Sequence, residues 1–176
     1  MSAHVEGRQG APGEHAFRLA PMSPSIRVTS SVALLLPVVF AWLGRVQPFQ
    51  YGVAAFVVSL YAFIWLWLRP TRFIVSAAGL RILWPLRFAH VLAADIRDVR
   101  RMGVEEFRRE YGYGMRVGAG GLWGGFGLLV TGKETLAIYV SRVDDLVLVR
   151  RGSDRPLLLT PEDPERFVRE LRGRAA

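Results

Sequence analysis

Cysteine is absent from this 176-residue chain. Disulfide frameworks, cysteine-ligated zinc and thiol catalysis are therefore excluded. Lysine is nearly absent: Lys133 stands alone against 22 arginines. The three histidines, His4, His15 and His90, are far apart, and neither His-x-x-x-His nor His-Glu-x-x-His occurs. Negative charge is also short, with 15 Asp and Glu against 23 Lys and Arg, a net charge of +8. Yet 51% of the residues are hydrophobic and the mean hydropathy is positive, +0.24. A soluble domain is about 45–50% apolar even with glycine counted. A chain both basic and hydropathic implies segregation: one very apolar stretch and one charged domain. That excludes a disordered basic tail protein and a soluble enzyme of uniform composition.

The segregation is visible along the chain. Between Val28 and Leu68, 30 of 41 residues are apolar and Arg45 is the only charge. A polar, proline-containing turn, Gly44 to Gln50, divides the stretch. Residues 28–44 and 51–68 read as two helices of a transmembrane hairpin, since a hydrocarbon core of about 30 Å needs roughly 17–25 residues. Pro37 falls in the first helix and is tolerated where a neighbour re-satisfies the freed carbonyl. Trp42, Phe49 and Tyr51 at the turn, with Trp65 and Trp67 at the far end, suit the two interfaces. Tyr61 is internal and reads as a helix-packing residue. Arg27 precedes the hairpin, and Arg69, Arg72, Arg81 and Arg87 follow it. Positive charge stays inside, so both termini are expected in the cytoplasm, with a short external turn. The first helix lacks a cleavage-site pattern and reads as an uncleaved anchor.

Residues 1–27, rich in Gly, Pro, Ala and Ser, are expected to be a disordered cytoplasmic tail, with Ala16 to Leu19 as a candidate interfacial contact. Residues 69–176 carry 19 basic and 13 acidic residues and read as a mainly-β cytoplasmic domain. A hairpin is expected at Arg72–Val75 and Leu80–Trp84 around Gly79. Further strands are expected at Phe88–Val91, at Arg97–Arg101 as an edge, at Phe126–Val130, Thr135–Val140, Leu146–Arg150 and Pro156–Leu159. Gly103 to Gly114 reads as polar and flexible. A closing amphipathic helix is expected with Thr160 as N-cap and Pro161 in the first turn. Phe167, Val168 and Leu171 form its apolar stripe.

Two apolar helices followed by strands of the Arg72–Trp84 type resemble membrane-anchored bacterial PH-domain proteins. The residues that carry the closer likeness are Gly118-Ala119-Gly120-Gly121-Leu122-Trp123-Gly124-Gly125-Phe126-Gly127, Leu136 to Val140, and Leu157-Leu158-Leu159-Thr160-Pro161-Glu162-Asp163-Pro164-Glu165-Arg166-Phe167. They are similar to one bacterial PH-like family, itself largely uncharacterised. The resemblance implies a PH-like fold of about seven strands in a bent barrel or sandwich, capped by a C-terminal helix. PH domains that hold phosphoinositides use several basic residues around the first β-turn. Here that turn is Ser76-Ala77-Ala78-Gly79, with only Arg72 and Arg81 near, so no specific inositide site is implied.

Candidate chemistry is sparse. Gly118-x-Gly120 lacks the third glycine of a dinucleotide fingerprint, and Gly132-Lys133 is followed by Glu134 rather than Ser or Thr. Adjacent acids such as Asp144-Asp145 point to opposite faces of a strand and read as a turn. Catalysis, cofactors and metals are not expected, nor is nucleic-acid binding, because the basic residues are interspersed with acids. The membrane-surface contact is placed at Arg69, Arg72, Trp65 and Trp67. Trp123, Arg108 and Arg109 are the candidate partner site, with burial of the Trp123 loop in the barrel as the competing reading. The expected function is presentation of a PH-like domain at the cytoplasmic membrane face for a protein partner or anionic lipid. The alternative is an accessory subunit of a larger membrane complex, contacted through the hairpin at Pro37, Ser59 and Tyr61.

Overall fold

A computed structural model describes residues 13–152 and 154–175. Residues 1–12 of the expected tail and Ser153 of the last turn lie outside the described residues. Strand β1 (His15–Arg18) comes first, followed by helices α1 (Pro24–Ala33), α2 (Leu36–Leu43) and α3 (Phe49–Phe63), the last ending in a π-helical turn, Ile64–Leu68. The domain then runs β2 (Arg72–Ser76), β3 (Gly79–Leu83), β4 (Phe88–Leu92), β5 (Ile96–Met102), α4 (Val104–Tyr111), β6 (Gly114–Gly120), β7 (Gly125–Thr131), β8 (Thr135–Val140), β9 (Leu146–Arg151), β10 (Leu157–Leu159) and α5 (Pro164–Ala175).

The strands form two sheets. One has the order β1-β2-β3-β4, the other β5-β9-β10-β8-β7-β6. All pairings are antiparallel except β10 with β8. In β2 and β3 the alternation is that of a half-buried sheet: Phe73, Val75, Leu80 and Ile82 are inside. Strand β9 has no such alternation, because both of its faces are covered. Val147 and Val149 pack toward the four-stranded sheet and α5. Leu146 and Leu148 pack on the opposite side, with Phe107 and Tyr111 of α4. A third, smaller cluster joins Ile64 at the end of the helical hairpin to Ala119, Leu122 and Phe126.

Several expectations are corrected. The N-terminal segment is not wholly a tail: β1 pairs with β2 from His15↔Val75 to Arg18↔Arg72. Phe17, expected in a solvated tail and at most a candidate interfacial contact, is buried against Phe167, because strand pairing turns it into the core. Ten strands are present among the described residues, nine of them after the hairpin where about seven were expected, and their two sheets fit the sandwich form of the expectation. Most of the segment from Gly103 to Gly114 is a helix, α4 (Val104–Tyr111), with Glu105 and Glu106 in its first turn and Arg108 and Arg109 in its last. That charge order suits the helix dipole, and Phe107 and Tyr111 at i, i+4 supply its buried stripe.

The closing helix starts later than expected. Asp163 Oδ1 accepts from the N–H of Arg166 (3.0 Å), so Asp163 is the capping residue and Pro164 takes the first helical position. Thr160 is fully buried instead, and its Oγ1 accepts from the N–H of Ser141 (2.9 Å).

The apolar helices span Pro24–Leu43 and Phe49–Leu68, each 20 residues long. The first starts four residues before the expected 28–44 and ends one residue sooner; the second starts two residues before the expected 51–68 and ends with it. Pro37 interrupts the first, and the carbonyl it leaves free is that of Ala33, four residues back. Tyr61 Oη donates to that carbonyl (2.7 Å). Only 6% and 11% of the two helices' apolar windows are buried, so the hairpin is not the core of this chain.

Candidate functional site

Hydrogen bonds and ring contacts join the hairpin to the domain. On the first helix, Ser30 is buried. Its Oγ donates to the carbonyl of Gly121 (3.2 Å) and accepts from the N–H of Trp123 (2.7 Å). Trp123 is half-buried and sits at a positive φ of 57°, a conformation a bulky residue adopts only when its surroundings hold it there. Its ring packs edge-on against Tyr61 (6.1 Å) and Trp65 (4.9 Å). The loop is therefore packed on the second helix, not inside the sandwich. Its backbone reaches that position because Gly118 and Gly127, cross-strand partners in β6 and β7, both take positive φ and bend the ribbon.

The end of the second helix is pinned as well. Trp84 Nε1 donates to the carbonyl of Leu68 (3.0 Å), and Arg87 Nε donates to the carbonyl of Trp67 (3.0 Å). The Arg87 guanidinium also lies 4.2 Å from the centre of the Trp84 ring. Arg69 stacks in the same way on Trp65 at 4.2 Å, a cation–π contact; burial lowers its pKa from the usual value. Trp65 and Trp67 are exposed on the hairpin, and Arg72 is exposed at the start of β2. All four predicted membrane-surface residues thus cluster where the second helix meets the domain. Leu86 and Phe88 are exposed on either side of Arg87 and extend this apolar rim; sequence reading missed them.

The other predicted residues do not join this cluster. Arg108 and Arg109 lie on α4, where Arg108 pairs with Glu105 (3.2 Å). Helix α4 covers the far face of the six-stranded sheet. Beside it a cavity of about 230 Å³ opens over Leu129, Ile138 and Val140, with Arg108, Arg116 and Arg142 among its walls. Its chemistry suits an apolar group with a negative end. Asp144 and Asp145 form a turn, as expected; Asp145 takes a positive φ of 51° and pairs with Arg101 and Arg142. Among the described residues no cluster of His, Asp and Glu has the makings of a metal site.

A charged network ties α4 to the sheet. Glu110 receives Arg100 (2.6 Å) and Lys133 (3.3 Å), and Arg150 donates to Tyr111 Oη (2.8 Å) and Glu134 (3.2 Å). The hydrogen bond from Arg100, reinforced by Lys133, lowers the Glu110 pKa. A depressed carboxylate pKa stabilises the fold above the unfolded-state value, and that stability is lost as pH falls through the folded-state value. Glu110→Gln is therefore expected to cost about 1 kcal/mol at neutral pH. Denaturant titrations at stepped pH should show the gap to the native chain closing below the usual carboxylate value of 4.5.

Two sheets closed by a C-terminal helix define a PH-like domain. A model of the bacterial PH domain matches residues 71–175, more than half of the chain, and the chain belongs to that family. No curated protein and no solved structure matches it.

Proposed function

We propose that the chain is a non-catalytic integral membrane protein of the bacterial cell membrane. Its hairpin holds the PH-like domain at the cytoplasmic face for interaction with a protein partner or anionic lipid. The observation that carries this reading is the exposure of the hairpin. Two 20-residue apolar helices leave about nine-tenths of their apolar windows uncovered by the rest of the chain, and a lipid core of about 30 Å matches their length. The arginines at the domain end of the hairpin, Arg27, Arg69 and Arg72, support a cytoplasmic domain. Pairing of β1 with β2 supports both ends of the hairpin lying on one side. PH domains are in general interaction modules, which supports a non-catalytic role.

The reading in which the hairpin is a subunit contact draws less support. Tyr61 Oη is used by Ala33 within the hairpin, and Ser59 Oγ donates to Ala55 of its own helix (2.9 Å). Both hydroxyl protons are thus used inside the hairpin, and only the acceptor oxygens remain for a neighbouring helix.

Reporter fusions test the topology. A fusion at Gln47 is expected to be active outside and one after Ala176 inside, with the protein retained in membranes after alkaline carbonate washing. An external C-terminal reporter, or release by carbonate, would overturn the reading.

A further inference from the structure

We propose that the Gly120–Gly125 loop is a third membrane-inserted element, seating Trp123 at the headgroup–acyl boundary beside the two helices. The proposal rests on the membrane-anchored reading and comes from register. The Trp123 N–H is bonded to Ser30, which lies three residues past Arg27, about 4.5 Å further along the helix. On the other helix the Trp123 ring packs on Tyr61 and Trp65, which precede Arg69 by eight and four residues. Trp123 therefore sits on the apolar side of the last charged residue of both helices. Arg27 is exposed, and a charged arginine at a helix end keeps its head at the interface. The tryptophan beside Ser30 lies deeper than that head.

The loop is equipped for that position. None of its six residues is charged. Backbone polar groups carried into an apolar medium must find partners within the protein. Here Ser30 Oγ serves both the Gly121 carbonyl and the Trp123 N–H, and the Gly121 N–H donates to the carbonyl of Gly124 (3.0 Å). The outer side of Trp123 opens on an apolar groove along the hairpin, walled by Leu34, Pro37, Val58 and Leu66. In a bilayer an acyl chain fills such a groove. Arg116 marks the other limit: its side chain lies against Gly120 and Gly125 at the root of the loop, at the level suited to phosphate. Indole rings favour this boundary layer because they are half apolar and half polar.

Depth-dependent fluorescence quenching tests the proposal on the full chain in phosphatidylcholine vesicles. One variant keeps only Trp123, with Trp42, Trp65, Trp67 and Trp84 changed to Phe; a second keeps only Trp42. Lipids brominated near the head of the acyl chain are expected to quench Trp123 at least twofold, and aqueous iodide to leave it nearly unquenched. Should the multiple variant fail to fold, the difference between the native chain and Trp123→Phe gives the same contribution. Quenching of Trp42 by brominated lipid without quenching of Trp123 would overturn the insertion and leave the anchor standing. Failure of both to respond would overturn the anchor and the insertion with it.

Discussion

Phe167→Ala lowers the stability of the domain by about 3–5 kcal/mol, the range for removing a buried aromatic ring. The expectation rests on what the ring joins. Phe167 is fully buried, and its ring packs edge-on against Phe17 at 5.2 Å and Phe73 at 6.1 Å. Those partners belong to β1 and β2, so the ring joins α5 to both strands that flank the helical hairpin. Leu171, one turn on, is equally buried and cannot move to fill the space without opening its own contacts. Chemical denaturation of the detergent-solubilised chain, followed by circular dichroism, measures the loss. The same change at the exposed Val143 should be within about 0.5 kcal/mol of neutral. A small effect at Phe167 would mean that α5 does not close the sandwich.

Gly127→Ala is the second large effect, expected at about 2–4 kcal/mol. Gly127 has φ near 130°, where a side chain is strained whatever the space around it. An added Cβ would also collide with the carbonyl oxygen of Val117 and lie 3.0 Å from the Cα of Gly118. Both are backbone atoms of the facing strand and cannot swing aside. Relief requires β6 and β7 to part at the bend that carries the Gly120–Gly125 loop to Ser30. The variant should therefore lose the Trp123 contacts as well as stability, read as a change in tryptophan emission before unfolding. Gly132→Ala, where a Cβ meets nothing within 4 Å, is the control and should be close to neutral. Equal effects at the two positions would show that the bend is not required.

Much of this architecture was legible in the sequence because it is written in local patterns. The hairpin followed from a charge-free apolar run. The strand pair around Gly79 and the last strands followed from alternation and turn residues. Two of the differences depend on partners distant in the chain. Phe17 looks like one apolar residue in a polar tail until β2, more than fifty residues on, pairs with it. Thr160 has the chemistry of a helix cap, yet Asp163 three residues later has it too. Only the buried contact with Ser141 takes Thr160 out of contention. Helix α4 was hidden by its charge, since the two residues it buries, Phe107 and Tyr111, are few for a stripe. At the candidate site the arginines and tryptophans were found from their position after the hairpin. Ser30 was not, because a serine in an apolar helix carries no signal until a loop about ninety residues away is placed on it. Pro37 did leave a signal, the orphaned carbonyl of Ala33, and Tyr61 in the facing segment was its available donor.

Strand β1 is made before the two apolar helices and β2 after them, yet the two strands are neighbours in one sheet. The whole helical segment is in effect the turn of a β-hairpin. Closing so long a turn costs loop entropy that grows only slowly with length, so the burden is one of timing. During synthesis β1 has no partner until the chain has gone out through the helices and come back. In a membrane, the sheet can close only after the second helix has returned to the side from which the first one left. Completion of the soluble fold thereby becomes a readout of correct insertion. A chain that failed to return would leave the edge of β2 unpaired and Phe167 without its contact with Phe17.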